Sequence, residues 1–203
     1  MHPNPVFRGA TTGFNLDFAR QQGFGMLAAA SDGAPLISHI PFVLNAAGDI
    51  ADFHLVRSNP IARLGVAPAR LAVQGPHSYI SPDWYGAKDQ VPTWNYVAVH
   101  LVGEIERRPD DELRALLDRQ SETYEARLAP KTPWTTQKMG AGVMERMMRQ
   151  IAPFRMQIAE VHGTWKLGQN KPEATRLSAA DNVDAYGMGQ ETGLIAALMR
   201  GAV

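Results

Sequence analysis

Cysteine is absent from the 203-residue chain, which removes disulfides, thiolate zinc sites, iron–sulfur clusters and a cysteine nucleophile together. An excess of either charge is absent too, since 20 Lys and Arg balance 20 Asp and Glu. A broad, non-specific grip on nucleic acid needs clustered cations, so at most a local basic patch is left for it. No apolar run approaches the about 20 residues that a membrane helix requires. Met1-His2-Pro3-Asn4-Pro5 lacks the basic start and apolar stretch of a secretory leader. These absences lead to the expectation of a cytoplasmic protein with no membrane partner. The six histidines show no metal-binding spacing, so no metal site is expected. Neither a GxGxxG turn, a P-loop nor a G-x-S-x-G elbow occurs.

What is present is a run of short alternating segments. Phe14 and Phe18 share a face of a short helix over 14–22 that ends at Gly23. Strands are expected over 24–30, 36–44 and 50–56, joined by Ser31-Asp32-Gly33 and by Asn45-Ala46-Ala47-Gly48-Asp49, as in an antiparallel meander. Pro41 has no N–H to give a ladder, so the second of these strands must be irregular or at an edge there. A helix start follows at 58–64, where Ser58 or Asn59 can cap and Pro60 fits the first turn.

A strand over 69–74 leads into a loop-like aromatic stretch, 75–94, and a further strand over 95–106. Pro109-Asp110-Asp111-Glu112 opens a helix with acids in its first turn. A second helix carries Met144, Met147, Met148 and Ile151 on a face suited to core or dimer filling. The last long strand starts at Phe154, and its apolar phase flips near Ala159 or Glu160, where a bulge is expected. The remainder, 171–203, reads as helix and loop. The sum is an α+β chain dominated by β: an antiparallel barrel or rolled sheet with flanking helices.

Three segments carry candidate chemistry. In His54-Leu55-Val56-Arg57-Ser58-Asn59-Pro60 a strand runs directly into a helix start. Free amides, the Arg57 fork and the side chains of Ser58 and Asn59 there suit a phosphate monoester. A plain capped helix with an exposed arginine on its shoulder is the alternative. Ser38-His39-Ile40-Pro41-Phe42 is a strand whose proline leaves a neighbouring carbonyl open to a flat polar ligand, or else simply an edge strand. Lys166-Leu167-Gly168-Gln169-Asn170 supplies donors and acceptors for a ring edge or a phosphate.

Taken together, these blocks resemble the PaiB-type family of FMN-binding proteins, also labelled negative transcriptional regulators. The resemblance rests on Gly33-Ala34-Pro35 through Phe42, on His54 to Pro60, and on Gln74-Gly75-Pro76-His77-Ser78-Tyr79-Ile80-Ser81-Pro82-Asp83-Trp84-Tyr85. Val91-Pro92-Thr93-Trp94-Asn95-Tyr96-Val97-Ala98-Val99-His100 and the Lys166 block complete it, so that it spans roughly residues 5–176. It implies an FMN-binding split β-barrel of the pyridoxamine-phosphate-oxidase-like kind over 1–170, with inserted helices in 110–151, and a C-terminal helical extension over 171–203. It further implies a homodimer with FMN near the interface.

Carried onto this sequence, Arg57, Ser58 and Asn59 would hold the phosphate, and His39, Ile40, Pro41 and Phe42 would lie along the isoalloxazine. Gln74, Trp94, Lys166, Gln169 and Asn170 would be secondary contacts. Gly168 stands where the family commonly has Ser, and the glycine-bearing tail reads as less helical than the family implies. The resemblance leaves a flavin-dependent redox or regulatory role, with an unknown substrate if the protein is an enzyme. It also leaves two alternatives: a DNA-binding repressor, against which the balanced charge weighs, and a haem protein using His39 or His54 as axial ligand.

Overall fold

The computed structural model describes residues 2–201. Alternation sets most of its strands. β1 (Phe24–Ala29), β2 (Leu36–Pro41), β3 (Val43–Leu44), β4 (Ile50–Val56), β5 (Ala67–Ile80), β6 (Thr93–Arg107), β7 (Ile151–Lys166) and β8 (Gly189–Gln190) form one sheet in the order β2-β1-β5-β6-β7-β4-β3, with β8 on β5. The helices are α1 (Thr12–Gln22), α2 (Leu113–Glu125), α3 (Val143–Met148), α4 (Glu173–Tyr186) and α5 (Thr192–Gly201). Among the described residues no helix is long and apolar enough to cross a membrane.

The chain forms two compact units, and β5, β6 and β7 run through both. One comprises residues 19–72 and 101–160, the other residues 1–18, 73–100 and 161–203. In the first, Leu27, Phe42, Phe53, Leu71, Leu101, Ile105, Leu113, Phe154 and Met156 are buried. Phe53 and Phe154 are register partners on β4 and β7 and stack at 5.8 Å. In the second, α4 and α5 bury Ala179, Ala180, Val183, Ile195, Ala196 and Met199 against Ile80, Val97, Trp165 and Leu167. Asn15 is buried there, accepting from Trp165 Nε1 at 2.8 Å, and Gly163 makes room for it, since a Cβ would fall 2.0 Å from Asn15 Oδ1.

Several expectations need correcting. The meander over 24–56 is split into two hairpins: β1 pairs with β2 and β3 with β4, whose other edge pairs with β7. The Phe42 N–H carries the β1–β2 register one residue past Pro41 to the Gly23 carbonyl, and the chain then leaves β1 to pair through Val43 and Leu44 with β4. The helix expected at 58–64 is a single 3-10 turn, Pro60–Arg63. Residues 75–80 are strand, not loop. Gly75 is there for packing, because a Cβ would sit 2.7 Å from the Phe18 ring. The Met-rich helix is only α3, with no buried residue, and Ile151 belongs to β7. The tail is largely helical, in α4 and α5, because small residues let those helices pack closely. The phase flip in β7 is present as expected: Ala152, Phe154, Met156 and Ile158 are buried, Ala159 and Glu160 are both exposed, and Trp165 and Leu167 are buried beyond them.

Candidate functional site

In the first unit the end of β4 builds a polar corner. The Arg57 N–H still pairs with the Gln150 carbonyl, continuing the β4–β7 ladder by one residue. Its guanidinium donates from Nε to the Arg149 carbonyl at 3.0 Å and from Nη2 to Asp110 Oδ2 at 2.8 Å. Ser58 is exposed. Asn59 Oδ1 accepts from the Ile61 N–H at 2.9 Å, so it caps the 3-10 turn. A turn this short offers little aligned dipole, and its cap has already taken one of the free amides. The donors available to a ligand are therefore side chains.

Asn59 Nδ2 donates to Ser38 Oγ at 2.6 Å. That bond ties the corner to β2 and brings two of the sequence blocks together. Along β2 the pleat divides the ring-strand candidates. Ile40 and Phe42 are buried at 2% and 1% exposure, while His39 is exposed and lies nearly parallel to the Phe24 ring at 6.4 Å. Ile40 and Phe42 thus face the core and would meet a ligand only through their backbone.

The carbonyls beside the strand break are not left for a ligand. The Pro41 carbonyl accepts from Gln120 Nε2 at 3.4 Å and the Phe42 carbonyl from the Tyr124 hydroxyl at 2.8 Å, so α2 satisfies both. Gln120 Oε1 lies 3.0 Å from His54 Nδ1, and since its amide nitrogen serves Pro41, the imidazole is the donor. Burial pushes the His54 pKa down, and the Gln120 bond offsets part of that shift.

In the second unit a different group assembles. Gln74 Nε2 is 3.1 Å from His77 Nδ1. The His77 and Tyr79 rings flank Trp94 at 5.8 and 6.1 Å, and Trp94 is 43% exposed. Lys166 Nζ donates to the Trp94 carbonyl at 2.7 Å and to Thr93 Oγ1. Burial lowers the Lys166 pKa, and the nearby Lys171 charge lowers it further.

Gln169 is spent internally, accepting from the Leu167 N–H and donating to the Trp165 carbonyl, while Asn170 is exposed. Gly168 sits at φ 83°, a left-handed conformation that a serine would adopt only under strain. Sequence reading gave no individual ligand role to Ser38, His77, Tyr79, Thr93 or Asp110, although the first four lie in the quoted blocks. The HxY spacing of His77 and Tyr79 on one strand face was the available signal for that pair; nothing local marks Asp110 as a partner of Arg57.

The donor sets fit a flavin mononucleotide in kind. Arg57, Ser58 and Asn59 offer a guanidinium, a hydroxyl and the remaining amide hydrogen, as a phosphate monoester requires. Trp94 with His77 and Tyr79 offers an aromatic surface, and Lys166 keeps one N–H beyond its two acceptors.

Residues 1–160 match the family model described as "Putative FMN-binding domain". The chain is 30% identical over 171 residues to "Protease synthase and sporulation protein PAI 2" of Bacillus subtilis (strain 168), covering 82% of this chain and 81% of that protein. In structure it is similar to the FAD and heme binding protein from Mycobacterium smegmatis, with TM-score 0.58, 18% identity and coverage of 90% and 82%. It is also similar to the conserved hypothetical protein Rv2991 from Mycobacterium tuberculosis, with TM-score 0.56, 13% identity and coverage of 84% and 94%. These structural likenesses concern the fold, which is the split β-barrel with flanking helices that the sequence resemblance implied.

Proposed function

The chain belongs to the family of FMN-binding domains, whose cofactor is FMN, and on that premise we propose that it works as a cytoplasmic homodimer in a flavin-dependent redox or regulatory role. The phosphate is held by Arg57, Ser58 and the free hydrogen of Asn59. The ring lies along the His39–Phe42 strand, meeting the side chains of His39 and Pro41 and the backbone of Ile40 and Phe42. Gln74, Trp94, Lys166, Gln169 and Asn170 form a secondary set. Within it Lys166 and Trp94 carry the most weight, because Gln169 is committed to its own turn. When bound, FMN supplies the electron-carrying ring, and the residues of the chain bind and orient it.

One observation supports this reading above the others: the Asn59–Ser38 bond, which sets the phosphate candidates beside the strand proposed for the ring. The test is a pair of titrations followed by flavin fluorescence. Arg57→Ala should weaken FMN about tenfold, the size of one charge-assisted hydrogen bond, and leave riboflavin, which has no phosphate, nearly unchanged. Equal loss for both flavins, or no loss for FMN, overturns the assignment.

A further inference from the structure

We propose that Asp110 is an internal competitor for the flavin phosphate and so sets how strongly the chain distinguishes FMN from flavins lacking that group; this rests on the reading that Arg57 holds the phosphate. The Asp110 carboxylate straddles two guanidiniums. Its Oδ2 accepts from Arg57 Nη2 at 2.8 Å and its Oδ1 from Arg107 Nη2 at 2.9 Å. The carboxylate takes one N–H from each arginine, so on Arg57 it occupies a donor that a phosphate oxygen would otherwise use.

The rest of Arg57 sharpens the competition. Its Nε is already spent on the Arg149 carbonyl at 3.0 Å. A phosphate can reach the remaining N–H groups, but it gains the full fork edge only when Asp110 lets go. Arg107, three residues before Asp110, keeps the carboxylate poised whether or not Arg57 is engaged. Hydrogen bonds from Arg107 and then Arg57 hold the Asp110 carboxyl below its usual range, so it is ionised at neutral pH. The exchange is easy, because the side chains are 35% and 54% exposed and exposed pairs of this kind are weak. Asp111 provides a built-in control. It carries the same charge one residue further on, and among the described residues it makes no hydrogen bond to either arginine.

The experiment measures the ratio of riboflavin to FMN dissociation constants in wild type, Asp110→Asn, Asp111→Asn and Arg57→Ala, by flavin fluorescence. Asp110→Asn should raise the ratio about threefold, in line with release of an exposed ion pair, with riboflavin binding unchanged. Asp111→Asn should leave the ratio near the wild-type value. An equal rise in both aspartate variants would mean general charge repulsion and overturns the proposal, as does no rise in Asp110→Asn. If Arg57→Ala lowers the ratio while Asp110→Asn fails to raise it, the phosphate reading stands and the competitor falls. If Arg57→Ala leaves the ratio untouched, the phosphate reading itself fails. Should Asp110→Asn not fold, Asp110→Ala removes the same oxygens and carries the comparison.

Discussion

Arg57 in one corner and Lys166 in the other are both cations proposed to meet the ligand, but the two are restrained by different physics. Arg57 is compensated by the Asp110 carboxylate. Whether it serves a ligand is a contest between anions. Lys166 is held by a carbonyl and a hydroxyl, both neutral, and burial with a neighbouring lysine makes its proton easier to lose. Two of its three N–H groups are already engaged, so it serves a ligand only with the third. The first corner should respond to competing anions and salt, the second to pH.

The largest effect that would break this contrast falls on the framework of the Arg57 corner. Asn59→Ala removes the cap on the Ile61 N–H and the donor to Ser38 together. It should cost about 1–2 kcal/mol by urea denaturation. A loss no larger than that of a surface substitution would show that the corner is not tied to β2.

The next effect concerns Lys166. Its folded pKa lies below the ordinary 10.5, so between the two values the unfolded chain holds more protons. Stability contributed by this group therefore rises as pH climbs through that window, and it is lost as pH falls below it. Compared at pH 8 and pH 10, wild type should gain on Lys166→Met in urea midpoint. Parallel profiles would show that burial of the ammonium has no energetic consequence.

The smallest effect sharpens the contrast. Arg57→Ala should change stability by under about 1 kcal/mol, since exposed ion pairs contribute little, even as it selectively weakens FMN. A larger thermal destabilisation would make Arg57 a structural residue.

Much of the fold was legible along the chain. Ile50–Val56 reads as a strand because its parity is clean, and the β7 phase flip shows in the spacing of Ile158, Val161 and Trp165. The misreadings were local signals overruled by packing. Gly75-Pro76 looks like a loop, yet pairing of His77 and Ser78 with β8 and the Phe18 ring keep it extended. The proline-flanked strand end reads as offering open carbonyls, yet Gln120 and Tyr124 reach them from 79 and 82 residues away in sequence. Of the site, the residue types in Arg57-Ser58-Asn59 were readable, but not that Asn59 is half consumed by its own turn.

By itself the sequence determined which segments alternate, where the turns fall and which family the motifs belong to, because periodicity and short motifs are properties of neighbours along the chain. Only the tertiary structure decided which donors remain to meet a ligand. Asp110 occupies Arg57, Gln169 closes on its own backbone, and Lys166 is set against two neutral oxygens. A side chain's availability is the balance left after its through-space partners are satisfied, and most of those partners lie tens of residues away.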